Sequence, residues 1–297
     1  MTKSLVTGGS GFIGSHIVDY LVDKGHDVVA IDNRSANNDR FYENDQVVYT
    51  RGDITDYSAM KKAVKGVDYV FHLAAESRLQ PAIENPIEAV TKNCVGTTVM
   101  LQAAREEGVK RFVYSSTSSG YGNNPPPSVE TQPDDCLNPY SASKIAAEKF
   151  CKMYYELYGL PTVSLRYFNV FGERSPTRGQ YAPVIGIFQR QRDAGEPLTI
   201  VGDGEQRRDF TYVGDVVNAN IMAAISNQEE EAFGEVYNVG TGTNYSVNEV
   251  AAMISDNTTN IPPRPAEARL SLANNKKIYE AFGWSPRVKL EEWVAKQ

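Results

Sequence analysis

The residues best suited to chemistry are a tyrosine and a lysine four positions apart, Tyr140 and Lys144, in the segment YSASK. Residues four apart on a helix share a face, so the phenol and the ammonium would lie side by side. A free tyrosine titrates near pH ~10, and a fixed positive charge beside it favours the phenolate. The pair could therefore form a general base that works near neutral pH, although a Tyr–Lys pair standing alone is usually an ordinary surface feature.

A run of five hydroxyl side chains, Ser115 to Ser119, lies upstream of this pair and follows the apolar stretch RFVY. Small hydroxyl residues are typical of loops and helix caps, but five in succession exceed what either role needs. The apolar stretch is typical of a buried strand, so the run would lie at the carboxyl end of that strand. We therefore expect one of these hydroxyls to contact a substrate.

A glycine-rich segment, VTGGSGFIG, places Gly8, Gly11 and Gly14 between the first predicted strand and the first predicted helix. Glycines let the backbone turn sharply and approach a pyrophosphate, which binds at the helix N-terminus. Asp32 ends the second predicted strand, where a carboxylate binds the adenosine ribose and repels a 2′-phosphate, so NAD is favoured over NADP. The nearby Arg34 is a weak indication of NADP instead. The alternative is a plain glycine-rich turn followed by a surface aspartate.

Short apolar runs alternate with segments of helical periodicity up to about residue 172. This alternation predicts an α/β fold with a Rossmann-like, doubly wound parallel sheet and helices on both faces. Beyond that point the apolar runs are shorter and a Pro-rich connector appears. We predict an NAD-binding Rossmann domain with the catalytic residues over 1–172. A smaller mixed α/β C-terminal substrate-binding lobe is predicted over 173–297, with some segments returning to the core sheet.

The composition limits the class of function. The 297 residues carry a net charge of −7 with no basic block, which argues against binding to nucleic acid. The three cysteines and three histidines are scattered, which fits a reducing compartment and offers no metal site. No signal-peptide pattern and no apolar run of ~20 residues is present. We therefore expect a cytoplasmic protein without a membrane or nucleic-acid partner.

Several further motifs carry a family resemblance: TGGSGFIG, GDITD, FHLAA, NCVGT, SSTSSGYG, YSASK, RYFNVFG and GDGEQRRDFTYVGDV. Through them nearly the whole chain resembles the extended short-chain dehydrogenase/reductase family, and within it the nucleotide-sugar 4-epimerases of the UDP-glucose/UDP-N-acetylglucosamine type. The resemblance implies NAD as the cofactor and a UDP-hexose as the substrate. It also implies three catalytic residues: Tyr140 as the base, Lys144 as its partner, and Thr117 as a hydrogen-bond partner of the sugar's 4-oxygen.

The resemblance extends to the binding residues. The implied cofactor contacts are Gly8, Gly11, Phe12, Ile13, Gly14, Asp32, Asn33, Arg34, Ser35, Asp53, Ile54, Leu73, Ala74, Ala75, Asn93, Ser115, Tyr140, Lys144 and Tyr167. The implied substrate contacts are Ser116, Thr117, Asn169, Leu198, Ile200, Arg208, Arg264, Glu267 and Ser271. Arg208 and Arg264 match positions that bind the diphosphate, for which the planar guanidinium offers paired donors. Ser271 falls where glucose/galactose-restricted epimerases carry a bulky tyrosine, so N-acetylated sugars should fit unless neighbouring loops refill the space.

The two residues after Thr117 distinguish the reactions of the family. The resemblance implies an Asp–Glu pair there in the 4,6-dehydratases and a glutamate two positions after the threonine in the UDP-glucuronate decarboxylases. Here the positions hold Ser118 and Ser119, and neither can act as a carboxylic acid. We therefore expect epimerisation at C4, in which Tyr140 takes the 4-hydroxyl proton and the C4 hydride passes to NAD. The 4-keto sugar then rotates to present its other face to the cofactor. The hydride returns to C4 and the proton to the 4-oxygen.

The sequence also leaves alternative functions open, and the resemblance implies a dimer. A one-way reductase, an epimerase of GDP-, ADP- or dTDP-linked sugars, and a catalytically idle NAD-binding regulator remain open. The resemblance implies a homodimer through a four-helix bundle, built from residues 86–107 and 141–158 of each subunit. The apolar residues of these segments would equally fit burial against the sheet.

Overall fold

The computed structural model describes residues 1–36, 39–178, 182–226, 230–263 and 268–297. Their strands, in chain order, are β1 (Lys3–Thr7), β2 (Asp27–Ile31), β3 (Val48–Thr50), β4 (Tyr69–His72), β5 (Arg111–Thr117), β6 (Thr162–Tyr167), β7 (Val170–Phe171), β8 (Leu198–Val201), β9 (Arg207–Asp209), β10 (Thr211–Tyr212), β11 (Glu235–Val239), β12 (Asn244–Ser246) and β13 (Thr258–Ile261). Their helices are α1 (Phe12–Asp23), α2 (Tyr57–Ala63), α3 (Leu79–Glu84), α4 (Pro86–Val90), α5 (Thr97–Glu106), α6 (Pro139–Tyr158), α7 (Val184–Asp193), α8 (Val213–Ile225), α9 (Val247–Ile254), α10 (Lys276–Phe282) and α11 (Leu290–Val294). A π-helical turn, Thr91–Gly96, joins α4 to α5.

The central sheet has seven parallel strands in the order β11-β6-β5-β4-β1-β2-β3. Successive strand residues face opposite sides of a sheet, and β5 shows this clearly. Its Phe112 and Tyr114 pack in an apolar layer with α5 and α6, whereas Val113 packs in a second layer with α1 and α8. The predicted Rossmann-like, doubly wound sheet is therefore confirmed. The strand order reverses between β1 and β4, and the carboxyl edge at such a reversal is where this fold binds ligands.

The segments after residue 172 divide between this core and a smaller lobe. Strand β11 pairs with β6 in the central sheet, and α8 packs against α1 and β5. The lobe contains the pairs β8–β13 and β9–β12, with α7, α9 and α11 around them. Its own apolar cluster includes Phe188, Leu198, Phe210, Val250 and Trp293. The lobe thus has a hydrophobic core of its own. It adjoins the carboxyl edge of the central sheet.

Helix α6 carries the Tyr–Lys pair, and local sequence fixes where it begins and ends. Asn138 caps its N-terminus through a reciprocal hydrogen-bond pair with Ser141, and Pro139 occupies the first turn, where its missing N–H has no cost. Gly159 ends the helix in the left-handed conformation, at φ 70°. Tyr140 therefore lies in the first turn, close to the sheet edge. Neither α6 nor any other helix within the described ranges has the length and apolar character needed to cross a membrane.

Candidate active site

A large cavity of about 690 Å³ follows the carboxyl ends of β1, β2, β4, β5 and β6. A small cavity of about 290 Å³ adjoins it, and the two share four residues of their walls: Asn169, Val170, Ala182 and Pro183. We call the part of the large cavity beside the glycine loop the cofactor end. The small cavity is called the nucleotide end. Between them, at the ends of β5 and β6, lies the catalytic edge.

The glycine loop forms the floor of the cofactor end. A Cβ atom on Gly14 would lie 2.1 Å from the Gly8 carbonyl oxygen, and one on Gly8 would lie 2.9 Å from the Ala74 nitrogen, so neither position admits a larger residue. Gly8 also has a φ of +70°. Among the described residues, no side chain caps the N-terminus of α1. Its first N–H groups are therefore available to a pyrophosphate, and the loop fits a dinucleotide.

Most of the predicted cofactor contacts line this cavity. They are Gly8, Gly11, Phe12, Ile13, Gly14, Asp32, Asn33, Ser35, Ile54, Leu73, Ala74, Ala75, Ser115, Tyr140, Lys144 and Tyr167. They come from the ends of the first six strands of the chain, from the segments that follow them and from the start of α6. Sequence positions that are far apart thus meet along one edge, as the sheet topology requires.

Three predicted cofactor side chains are instead engaged beside the cavity. Arg34 forms an ion pair with Glu43 at 2.6 Å. Asp53 pairs with Lys92 at 2.5 Å. Asn93 is buried and donates from Nδ2 to the Glu76 carbonyl at 3.0 Å. Each of these three side chains already has a partner within the protein, and their contacts with the cofactor stay predictions.

Thr117, Tyr140 and Lys144 come together at the catalytic edge, and all three line the large cavity. Thr117 ends β5, while Tyr140 and Lys144 lie on successive turns of α6. The Thr117 hydroxyl is close enough to the phenol of Tyr140 to lower the pKa of that phenol by hydrogen bonding. Lys144 is buried, and its Nζ lies 4.4 Å from the centroid of the Tyr114 ring. The sheet edge and the helix start thus bring a hydroxyl, a phenol and an amine to one place.

Burial perturbs the acid–base properties of this trio. Desolvation lowers the pKa of Lys144 to about 7. Burial raises the pKa of Tyr140, the hydrogen bond from Thr117 lowers it, and the negative charge of Glu76 raises it. Of these influences, only the one from Thr117 favours a phenolate at Tyr140. Perturbed groups clustered in a cavity are typical of a catalytic site.

Glu148 lies four residues after Lys144, on the same face of α6. It is not among the site residues predicted from the sequence. Its carboxylate accepts two bonds from Arg166 of β6, at 2.9 and 2.7 Å, and a third from the hydroxyl of Ser116 on β5. All three residues are buried. This network holds α6 against β5 and β6 and engages the hydroxyl of Ser116, a predicted substrate contact. The four-residue spacing in YSASKIAAE was the signal that could have revealed it.

The phenol of Tyr167 closes the inner wall of the catalytic edge. It is hydrogen-bonded to the Ser115 hydroxyl at 2.8 Å and to Oδ1 of Asn220 at 2.9 Å. Burial raises the pKa of Tyr167 to about 12, so this phenol remains neutral. Asn220, on α8, was not predicted because nothing in the local sequence places α8 behind β6. Ser115 and Tyr167 form a fixed polar wall rather than a proton-transfer pair.

A charged pair that is also absent from the predicted set borders the catalytic edge. Glu76 and Arg78 follow β4 and line the large cavity. The Arg78 backbone N–H donates to Oε1 of Glu76 at 3.1 Å, which turns the carboxylate back toward its own loop. The polar segment directly after the strand motif FHLAA was the available signal.

The nucleotide end contains two of the predicted substrate contacts, Asn169 and Arg208. Asn169 donates from Nδ2 to the Asp209 carbonyl at 3.0 Å and to the Ser271 hydroxyl at 3.3 Å. Asn169 and Ser271 are therefore neighbours although 102 positions separate them. Arg264 and Glu267 lie outside the described residues.

The side chains of two predicted substrate contacts, Leu198 and Ile200, line neither cavity. Both side chains are buried in the apolar cluster of the lobe. On the same strand, β8, Thr199 and Val201 line the small cavity instead. The reason is the two-residue period of a strand, which sends alternate side chains to opposite faces.

The fold and the site together define a Rossmann-type enzyme that binds a dinucleotide and carries a Thr–Tyr–Lys group at its sheet edge. Residues 4–240 match the NAD dependent epimerase/dehydratase family, and the chain belongs to this family. The resemblance stated from the motifs is thereby confirmed, and NAD is the cofactor. The residues at the cofactor end fit it through the glycine floor and the uncapped start of α1.

Three solved structures show how closely this architecture is shared. The UDP-glucose 4-epimerase of Thermotoga maritima with UDP-glucose is 35% identical, with a TM-score of 0.93 over 99% of this chain and 96% of that one. The UDP-N-acetylglucosamine 4-epimerase of Methanobrevibacter ruminantium, solved with UDP-N-acetylmuramic acid, is also 35% identical, with a TM-score of 0.91 and the same coverage. The UDP-glucose 4-epimerase of Thermus thermophilus with NAD is 34% identical, with a TM-score of 0.89 over 99% and 96%.

Proposed function

We propose that this protein is an NAD-dependent nucleotide-sugar 4-epimerase that interconverts the C4 epimers of UDP-hexoses through a transient 4-keto sugar. The observation that carries the proposal is the catalytic edge itself. Thr117, Tyr140 and Lys144 line one cavity wall together with Ser118 and Ser119. The first three suit removal of a proton from a sugar hydroxyl, and the two serines supply no acid for elimination of water or loss of a carboxylate.

Each residue then has a definite role. When bound, NAD supplies the acceptor for the C4 hydride and later its donor. Thr117 hydrogen-bonds the sugar's 4-oxygen, and Tyr140 takes the proton from it. Protonated Lys144 stabilises the phenolate. After the sugar has turned its other face to the cofactor, Tyr140 returns the proton to the 4-oxygen as hydride returns to C4, so protons and electrons balance over the cycle.

The nucleotide would be held at the nucleotide end. Arg208 suits a diphosphate because its guanidinium presents paired donors, and Asn169 offers an amide close by. We infer that N-acetylated sugars are accepted, because the residue beside Asn169 is the small Ser271. A larger side chain at this position would reduce the space for the sugar's 2-substituent. The similarity to a UDP-N-acetylglucosamine 4-epimerase supports this inference.

A homodimer is part of the proposal. The segment formed by α4, the π-helical turn and α5 packs against α6. These helices leave large apolar side chains exposed at Ile87, Val90, Val95, Leu157 and Tyr158. Burying them against a second copy would complete a four-helix bundle. Sedimentation equilibrium should give twice the chain mass, and a monomer at micromolar concentration would contradict the assembly.

The reaction is tested with purified protein and no added NAD. UDP-glucose, UDP-N-acetylglucosamine, GDP-mannose and dTDP-glucose are incubated separately, and the products are separated by chromatography. We expect a mixture of C4 epimers from the UDP-sugars. A keto or oxidised product that requires stoichiometric NAD would contradict epimerisation, and failure to convert any sugar by protein with bound NAD would favour the idle regulator.

A further inference from the structure

The sequence at the end of β2 carries two opposite signals for the cofactor. In this fold an acidic residue there binds the adenosine ribose 2′-hydroxyl of NAD, whereas an arginine nearby accommodates the 2′-phosphate of NADP. This chain has both, as Asp32 and Arg34. Asp32 lines the large cavity. Asp32 alone would repel the 2′-phosphate of NADP, but Arg34 would attract it unless its guanidinium group is held elsewhere.

The carboxylate of Glu43 forms ion pairs with two arginines near Asp32. Nη2 of Arg34 lies 2.6 Å from Oε1 of Glu43, and Nη2 of Arg51 lies 3.4 Å from the same oxygen. The Arg34 guanidinium also stacks over the ring of Phe41, with its Cζ 5.6 Å from the ring centroid. Both guanidinium groups are thus directed to a carboxylate of the protein.

Ser10, in the glycine loop, holds both carboxylates. Its backbone N–H donates to Oδ2 of Asp32 at 3.1 Å, and its hydroxyl donates to Oε1 of Glu43 at 3.1 Å. The Ser10 residue is fully buried. Because one residue bonds both acids, Glu43 has a fixed position within reach of the ribose-binding carboxylate. With Arg34 and Arg51, the four side chains sum to zero charge, and removing the charge of Glu43 leaves one positive charge beside the ribose site.

We propose that Glu43 is a specificity-determining residue for the cofactor, which withholds the guanidinium groups of Arg34 and Arg51 from a 2′-phosphate. Its effect adds to the direct repulsion of that phosphate by Asp32. The inference concerns the cofactor alone and does not depend on which sugar the enzyme converts.

The test is a binding experiment on full-length protein freed of co-purified nucleotide. Dissociation constants for NADP⁺ and NAD⁺ are measured by isothermal titration calorimetry for wild type, Asp32→Asn, Glu43→Gln and the double variant. In the Asp32→Asn background, Glu43→Gln should tighten NADP⁺ binding about tenfold, the effect of one charge-assisted phosphate contact, and change NAD⁺ binding less than about threefold. Adding Arg34→Gln should abolish the gain. Glu280→Gln, which removes an exposed partner of Lys276, should change neither constant.

A second comparison needs no change at Glu43. In a crystal structure of Asp32→Asn with bound NADP⁺, the guanidinium groups of Arg34 and Arg51 should remain on the carboxylate of Glu43. A guanidinium group of either arginine in contact with the 2′-phosphate while Glu43 is intact would overturn the proposal. Equal changes in NAD⁺ and NADP⁺ binding on Glu43→Gln would overturn it as well.

Discussion

The cofactor end of the site is built mainly from backbone, whereas the nucleotide end is built from side chains. At the cofactor end, Gly8 and Gly14 allow no added Cβ and α1 presents its first N–H groups. At the nucleotide end, Asn169 and Arg208 come from separate segments. Asn169 donates to the hydroxyl of Ser271 beside the cavity, and Arg208 donates to two nearby carbonyls. A binding site formed by backbone atoms tolerates few substitutions, because any added side chain would clash. A binding site formed by side chains can be altered by single substitutions. We therefore expect the nucleotide end to vary with the substrate more readily than the cofactor end.

The catalytic edge resembles the cofactor end in its rigidity. The Ser116–Glu148–Arg166 network is buried, and loss of Glu148 would remove the partner of the Ser116 hydroxyl and two of the bonds of Arg166. Ser271 by contrast is only partly buried, and the bonds to its hydroxyl are long, at 3.3 and 3.5 Å. We therefore expect substitutions at the catalytic edge to affect all substrates equally and those at Ser271 to separate them.

The largest effect is expected from Tyr140→Phe. Without a phenol to take the 4-hydroxyl proton, kcat should fall by about 10³-fold on every UDP-sugar, within the range of general acid–base catalysis. NAD binding, followed by calorimetry, should be retained. Tyr279→Phe, on the exposed surface of α10, is the matched control and should keep full activity. A substrate-dependent loss in Tyr140→Phe would break the distinction between the two regions.

Ser271→Tyr should give the next largest effect, and only on some substrates. A ring at this position would occupy the space next to Asn169, so kcat/KM for the N-acetylated pair should fall about 10- to 100-fold while UDP-glucose and UDP-galactose change little. The measurement is the ratio of kcat/KM between the two pairs. Ser271→Ala removes the bond from Asn169 without adding volume and should leave the ratio as it is. Equal losses on both pairs would count against the assignment.

Thr117→Val should produce a smaller, pH-dependent effect. The hydrogen bond from Thr117 lowers the pKa of Tyr140, so its removal should raise that pKa and shift the acid limb of the kcat profile to higher pH. The deficit should be about tenfold near pH 7 and shrink at high pH. Ser119→Ala, which removes only the hydroxyl bonded to Thr117, should leave the limb near its original position. An unshifted limb in Thr117→Val would mean that Thr117 does not act on the phenol.

The smallest expected effect is on stability. Burial lowers the pKa of Lys144 from its ordinary 10.5 to about 7, so between these values the unfolded chain binds more protons and the stability of the wild type rises with pH. Lys144→Met removes this dependence. In nucleotide-free protein the variant should melt about 2–6 °C higher at pH 6, with a gain that shrinks toward pH 10.

The neighbouring Lys149 provides the control for this comparison. It lies on the same helix but is largely exposed and pairs with Asp134 at 2.9 Å. Lys149→Met should shift the melting temperature little and by the same amount at both pH values. A constant gain for Lys144→Met across the pH range would contradict the burial of a proton-binding amine at the catalytic edge.

The same contrast between backbone and side chains decides what could be predicted from the sequence. The glycine loop and the Tyr140–Lys144 spacing are local patterns, because each depends on one turn or one helix face. Which face of β8 is buried depends on the lobe packed against it, so the sequence alone does not distinguish Leu198 and Ile200, which are buried, from Thr199 and Val201, which line the small cavity. Glu43 depends on a loop that returns to Ser10, a tertiary contact that no local pattern encodes.

The central claim, removal and return of a hydride at C4 without elimination, is tested most directly by isotope tracing. UDP-glucose carrying deuterium at C4 is incubated with the enzyme in ordinary water, and both epimers are analysed by NMR and mass spectrometry. We predict that the deuterium stays at C4 in both epimers and that no solvent hydrogen enters the sugar. Migration of the label to C6, or its loss to solvent, would contradict the proposed reaction.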